Sequence, residues 1–168
     1  CLSINAFIYI IKMRKSFNIS ISRKFRLLSD LHLEVPRQFK RVTRKLDSFN
    51  TSVPVLCLAG DIGDPRSDVY KKFIKEQSYY YDRVFVVAGN HEYYNDKKSP
   101  VLNMNEVDAC IKETCDNSGN AAYLNNKCDY HDNVKYIGST LWTHLPEKCR
   151  NRYTNCLDFK KIHDDWTS

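Results

Sequence analysis

The sequence lacks several features that define whole classes of protein. Its 168 residues contain no apolar run near the roughly 20 residues that a membrane-spanning helix requires. With only 5 Gly and 5 Pro, it is also unlike collagen and low-complexity chains. The 7 Cys form an odd set without a CxxC pair, which argues against a disulfide framework and a thiolate zinc site. These absences predict a cytoplasmic globular protein that does not associate with a membrane.

Excess positive charge is confined to the N-terminal part of the chain. The net charge is +6, and residues 1–50 alone carry +8. The basic segment 12–45 contains Phe17, Phe25 and Phe39, so nucleic-acid binding stays open as an alternative. However, Phe25 and Phe39 are expected to face the core, and no RNA-binding motif surrounds them.

The first residue is Cys, and Met13 is a possible native start. We therefore expect residues 1–24 to form an N-terminal extension, of which residues 1–12 lie outside the fold. Residues 25–168 are then expected to belong to one domain, because no low-complexity linker or internal repeat interrupts them.

Strand and helix patterns alternate after residue 24. Short apolar runs at 25–29, 53–59 and 83–88 predict strands, and the middle run is apolar throughout, as strands buried on both faces are. Between them, apolar residues recur at helical spacing in 39–49 and 68–81. This alternation predicts βαβ units, a parallel sheet and an α/β fold.

One further helix and two further strands are predicted downstream. A third helix is followed by two strands that are joined by a two-residue turn at Asp132 and Asn133. In the second helix, one side is expected to contain Val69, Phe73, Ile74 and Gln77. The third helix is indicated by Val107, Ile111 and Thr114.

Each of the first three strands ends in a cluster of polar residues. In open α/β sheets, ligands bind at the carboxyl ends of the strands, so these clusters are expected to meet at one edge. Alone, each cluster is ordinary turn chemistry, but together they predict a centre for divalent cations such as manganese, iron or zinc. The residues concerned are Asp30, His32, Asp61, Asp64, Asn90, His91 and Glu92.

The spacing within the clusters suits metal binding. Asp30 and His32 are two residues apart on an extended segment, so both can reach one cation while Leu31 turns into the core. Asp61 lies between glycines, and its carboxylate has room to bridge two ions. Asn90 would hold the second ion.

At these residues the chain resembles the calcineurin-like metallophosphoesterase superfamily. The matching segments are SDLHLE (29–34), LAGDIGDP (58–65) and VVAGNHEYY (86–94). GSTLW (138–142) and LDFKKI (157–162) also look like segments of one branch of that family. The resemblance covers about residues 25–162.

The resemblance implies a four-layer α/β/β/α sandwich of two parallel-rich sheets with two divalent metal ions at one edge. Asp30 and His32 match ligands of the first ion, Asp61 matches the bridging ligand, and Asn90 matches a ligand of the second ion. His91 matches the histidine that stabilises charge on the phosphoryl oxygens or protonates the leaving oxygen. The implied reaction is hydrolysis of a phosphate mono- or diester by a metal-activated water.

The sequence also departs from the family pattern. A further metal-binding histidine and a GHxH segment are absent, and we expect a C-terminally truncated member, a βαβαβ half plus a hairpin, with impaired activity. Of the remaining histidines, His131 and His163 are expected at the surface, whereas His144 stays a candidate near the metals. Asp64 and Glu92 are expected to support the ligand residues at most, without contacting the metal ions themselves.

A non-catalytic scaffold of the same fold is the alternative function. Retention of the catalytic residue types at all four ligand positions and at His91 favours the enzyme. The substrate and the oligomeric state stay open.

Overall fold

The structure is a computed structural model that describes residues 5–12, 24–46, 53–95, 100–142 and 156–163. Its strands are β1 (Asn5–Lys12), β2 (Phe25–Leu28), β3 (Val55–Ala59), β4 (Arg83–Val87), β5 (Ala121–Tyr123), β6 (Lys127–His131) and β7 (Val134–Leu141). Its helices are α1 (Pro36–Leu46), α2 (Asp68–Tyr80), α3 (Met104–Asp116) and α4 (Leu157–Lys161), with a 3-10 turn at His91–Tyr93.

Four strands form a parallel sheet in the order β2-β3-β4-β5. Because spatial order follows chain order and crossovers are right-handed, α1, α2 and α3 lie on one face of this sheet. The predicted α/β class and the three predicted strands are confirmed. Strand β5 was not predicted, since three residues are too short for a periodic signal.

Strand β3 has a different core on each of its faces. Leu56 and Leu58 pack with the helices, whereas Val55 and Cys57 pack against the second sheet. All four are at most 2% exposed, which confirms the predicted double burial. Burial of each Val or Leu side chain contributes about 1.5–3 kcal/mol. Strand β3 is therefore firmly held in the core, and the loop that follows it begins from a fixed position.

Helix α2 buries a face one residue away from the predicted one. Tyr70, Phe73, Ile74 and Gln77 are buried, which is the spacing of a single helical stripe. Val69 is 37% exposed, so its predicted place on the same side as the other three residues is wrong. Tyr70 takes the core position because it lies three and four residues before Phe73 and Ile74.

Helix α3 confirms the predicted third helix. Val107, Ile111 and Thr114 are buried. The helix begins with a capping box in which the Asn103 side chain accepts from the Glu106 N–H and the Glu106 carboxylate accepts from the Asn103 N–H.

A second, three-stranded sheet has the order β1-β7-β6 and packs against the first. Its described strands are antiparallel, so the parallel-rich second sheet implied by the resemblance is corrected. The β6–β7 turn is confirmed, with Asp132 and Asn133 at φ of 50° and 58°, as a type I′ turn requires. Within the described residues three layers are present, the helices and the two sheets.

Residues 5–12 form β1, although the sequence predicts that this stretch lies outside the fold. All eight residues pair with β7, which gives the apolar run a backbone partner at the edge of the hairpin. The division of the chain at residue 24 stays a prediction.

Strand β2 is an edge strand, and its exposure corrects one expectation. Phe25 and Leu27 share the inter-sheet face with Val55 and Cys57 but are 44% and 56% exposed. Phe25 is therefore on the side of the inter-sheet core but is not buried in it, whereas Phe39 is partly buried against the helical core.

The described cysteines are free, in line with the absence of a disulfide framework; they are Cys57, Cys110, Cys115, Cys128 and Cys156. Among the described residues, the helices are all too short or too polar to cross a membrane.

Candidate metal centre

The loop after β2 runs beside the loop after β3 at the carboxyl edge of the parallel sheet. The Asp30 N–H donates to the Gly60 carbonyl (3.1 Å) and the His32 N–H to the Asp61 carbonyl (3.0 Å). A further bond from Leu33 continues this ladder past the end of the strands. The pairing of the two strands therefore extends into the loops and places Asp30 and His32 next to Asp61.

Three of the four predicted ligands share an unusual backbone conformation. Asp30, His32 and Asp61 have φ of 54°, 47° and 55°, in the left-handed region. Asp and His adopt this region more readily than most residues, yet each instance costs about 1–3 kcal/mol. Three such residues lie in two adjacent loops. This indicates that the loops hold an unfavourable backbone conformation because it places the side chains correctly.

The structure brings these three side chains together. One ligand atom each from Asp30, His32 and Asp61 lies within 4.8 Å of the others. Burial raises the pKa of Asp61, and the neighbouring Asp30 carboxylate raises it further, while the His91 N–H lowers it. Two carboxylates and an imidazole at this separation fit a divalent cation, which would offset the repulsion between the acids.

His32 and His91 form a second group of potential ligands with Glu34, again within 4.8 Å. The His32 Nδ1 lies 3.2 Å from the Glu34 carboxylate, which leaves Nε2 for a cation. The His91 ring lies 4.6 Å from the His32 ring and 4.4 Å from the Tyr94 ring. Its backbone N–H donates to Asp61 Oδ1 at 3.1 Å.

The amide of Asn90 has a defined orientation. Its Nδ2 donates to Asp158 Oδ1 (2.8 Å) and to the Tyr94 hydroxyl (3.0 Å). Both amide hydrogens are therefore used. The amide oxygen has no hydrogen-bond partner among the described residues and is the atom available to a cation.

Glu92 holds two of the loops in place. It is fully buried, and its carboxylate accepts backbone N–H bonds from Asp61 (3.0 Å), Ile62 (2.7 Å), Gly63 (3.4 Å) and Gly89 (2.7 Å). Burial and then the nearby Asp61 raise the Glu92 pKa to about 7, although the backbone donors lower it. The predicted place of Glu92 behind the ligands agrees with this geometry.

Gly89 permits the close approach of these loops. A Cβ atom at this position would lie 2.8 Å from the Asp61 nitrogen, nearer than real Cβ contacts come. The glycine of the GNH motif is required here for space.

Asp64 also serves as a brace. Its Oδ1 accepts from the Arg66 Nε at 2.6 Å, and Arg66 donates in turn to the Tyr94 carbonyl (2.6 Å) and to Asn95 Oδ1 (2.9 Å). This pair ties the loop after β3 to the chain that follows the 3-10 turn.

Comparison with known proteins agrees with the motifs. The sequence model described as calcineurin-like phosphoesterase matches residues 23–167. The chain belongs to the calcineurin-like phosphoesterase family. The resemblance carried by SDLHLE, LAGDIGDP and VVAGNHEYY is thereby confirmed.

Two individual proteins are similar to this chain. "Uncharacterized protein L509" of Acanthamoeba polyphaga mimivirus is 35% identical over 152 residues, which is 85% of this chain and 54% of that protein. The chain thus spans about half the length of this relative. The crystal structure of phosphopantetheinyl hydrolase from Mycobacterium tuberculosis aligns with a TM-score of 0.48 and 24% identity, over 61% of this chain and 36% of that one.

Two of the other histidines, His131 and His163, lie in the described part of the chain. His163 is exposed, as predicted, and His131 is half-buried beside the hairpin turn, 3.9 Å from Asp132. Neither belongs to a group of potential ligands within the part of the chain that the structure describes. His144, the open candidate, lies outside the described residues.

Sequence reasoning missed Asp158, Tyr94 and Arg66 at this candidate site. Asp158 and Tyr94 lie in the quoted segments LDFKKI and VVAGNHEYY, yet neither segment indicates that the two side chains meet. Their hydrogen bond spans 64 positions of the chain.

Proposed function

We propose that this chain is a metal-dependent phosphoesterase that hydrolyses a phosphate mono- or diester. The observation that carries the proposal is the approach of Asp30, His32 and Asp61 to within 4.8 Å from two separate loops. Membership of the calcineurin-like phosphoesterase family supports the same chemistry.

In this proposal the ligand side chains divide between two divalent ions. Asp30 and His32 would hold the first ion, Asp61 would contribute to holding both, and the Asn90 amide oxygen would hold the second. Their oxygen and nitrogen atoms suit manganese, iron or zinc. When bound, such ions polarise the phosphoryl group and lower the pKa of a water.

His91 acts on the phosphate ester beside the ligands. Its ring lies between those of His32 and Tyr94 and stays half-buried, so it can meet a substrate at the rim. The bond from its backbone N–H to Asp61 fixes its place relative to the ligands. There the imidazole stabilises negative charge on the phosphoryl oxygens or donates a proton to the leaving oxygen.

Hydrolysis of bis(p-nitrophenyl) phosphate and p-nitrophenyl phosphate with added Mn²⁺ tests the proposal. We expect turnover that falls at least about 100-fold in Asp61→Asn and in His91→Ala. His163→Ala is the matched control, because His163 is exposed and belongs to neither group of potential ligands.

Calorimetric titration with Mn²⁺ separates the enzyme from a scaffold. An enzyme of the proposed kind binds Mn²⁺ and loses this binding in Asp61→Asn. No binding and no turnover, or turnover that Asp61→Asn leaves intact, would contradict the proposal and favour the scaffold.

A further inference from the structure

The segment 156–163, here called the α4 segment, is anchored on the chain that follows β4. The Asn95 N–H donates to the Lys161 carbonyl at 2.8 Å, and the Lys161 ammonium lies 5.0 Å from the centre of the Tyr94 ring. Ile162 is 4% exposed and belongs to the helical core, and His163 pairs with Asn103. The segment therefore has a fixed place beside the 3-10 turn.

Asp158 is the residue of this segment that reaches the metal centre. It is 6% exposed, and its Oδ1 accepts from Asn90 Nδ2 at 2.8 Å and from the Tyr94 hydroxyl at 2.7 Å. The second hydrogen of Asn90 Nδ2 is directed to the same Tyr94 oxygen. The three side chains form a closed triangle of hydrogen bonds.

The chemistry of the triangle determines the direction of the Asn90 amide. An ionised carboxylate only accepts hydrogen bonds, so the amide must present its nitrogen to Asp158. The amide oxygen is consequently directed away from Asp158. An apolar side chain would fill the position of Asp158 without the desolvation cost of a buried carboxylate, so the acid is best explained by what it does to Asn90.

We propose that Asp158 is a positioning residue that orients Asn90 as a metal ligand, and that the LDFKKI segment thereby forms part of the active site. This inference rests on the proposed function, because Asn90 is a ligand only if metal binds there. Tyr94 assists by occupying the second amide hydrogen.

The first test follows the Asn90 side-chain NH₂ by NMR in metal-free protein, with its signals assigned from the spectrum of Asn90→Asp. In Asp158→Ala we expect exchange of these hydrogens with solvent to accelerate at least about tenfold, since the acceptor is gone. Asp158→Asn keeps an acceptor oxygen and should retain part of the protection. Leu157→Ala, on an exposed neighbour in the same helix, is the matched control.

The second test measures Mn²⁺ affinity by calorimetry. Loss of a residue that orients a ligand typically weakens metal binding about 10–100-fold, and we expect this loss for the ion held by Asn90 but not for the ion held by Asp30 and His32. Asp158→Asn should recover part of the affinity. If Asp158→Ala does not fold, Tyr94→Phe tests the same triangle with a smaller expected loss of about threefold to tenfold.

The outcomes separate this inference from the proposed function. Unchanged NH₂ exchange in Asp158→Ala, or equal weakening of both ions without recovery in Asp158→Asn, would overturn the positioning role. Wild-type protein that binds no Mn²⁺ would refute the proposed function and with it the ligand role of Asn90, while the NMR result would still decide whether Asp158 orients the amide.

Discussion

The two halves of the candidate site are built differently. Asp30 and His32 form the open half, which follows the edge strand β2. Backbone hydrogen bonds connect it to the loop after β3. Asp61 and Asn90 form the braced half, which follows the central strands β3 and β4. Behind the braced half lies the fully buried carboxylate of Glu92, which contacts four backbone N–H groups.

The difference follows from the position of each strand in the sheet. A central strand is covered on both faces, so its C-terminal loop starts from buried residues such as Leu58 and Val87 and can receive buried support. An edge strand offers no such cover, and Phe25 and Leu27 of β2 are exposed. We therefore expect the open half to fluctuate more than the braced half.

Removal of the Glu92 carboxylate should have the largest effect on this arrangement. Glu92→Ala leaves four buried backbone N–H groups without their acceptor. Each of these donors that water cannot reach destabilises the folded state by about 1–3 kcal/mol. We expect the free energy of unfolding to fall by about 4 kcal/mol or more. Urea denaturation monitored by circular dichroism measures the loss.

The matched control for Glu92 is Glu34 on the open half. Its carboxylate is exposed and contacts His32, so Glu34→Ala should cost less than about 1 kcal/mol. Similar losses in the two variants would show that the halves do not differ in their support.

A side chain at Gly89 should have the next largest effect. The new Cβ of Gly89→Ala would overlap Asp61, including its backbone nitrogen at 2.8 Å, so the two loops must separate. We expect a loss of about 2–3 kcal/mol and weaker Mn²⁺ binding, measured by urea denaturation and by calorimetry.

Gly119 provides the contrasting control. It has φ of +79° but nothing within 4 Å of a new Cβ, so Gly119→Ala should cost about 1 kcal/mol from the backbone alone and leave Mn²⁺ affinity unchanged. If Gly89→Ala proved as mild as Gly119→Ala, close packing of the loops would not be what holds Asp61.

The ligand positions could be predicted from sequence because they depend on local patterns. Apolar runs mark the parallel strands, and the carboxyl ends of parallel strands meet at one edge. Asp30, Asp61 and Asn90 each follow such a run closely, so only the order of the strands was needed to bring their loops together.

The residues that hold the ligands in place could not be predicted, because they act through contacts between distant parts of the chain. Asp158 is 68 positions from Asn90, and no periodicity connects the two. The antiparallel pairing of β1 with β7 likewise spans most of the chain. The wrong placement of Val69 has a different cause. Val69 and Tyr70 are adjacent, and either residue could share a side of the helix with Phe73. Only the packing of the helix on the sheet determines which of the two is buried.

The smallest expected difference concerns the charges of the two acids in metal-free protein. Asp61 is half-buried and lies near Asp30. Burial raises the pKa of Asp61, and repulsion from the Asp30 carboxylate adds to this effect. The charge of Asp61 therefore opposes folding when no cation is present. Asp61→Asn should therefore raise the free energy of unfolding in EDTA, whereas Asp30→Asn, at an exposed position, should change it by less. Both variants should lose Mn²⁺ affinity. Equal stabilisation by the two substitutions in urea denaturation would mean that the halves share one electrostatic environment, and the distinction between them would then rest on packing alone.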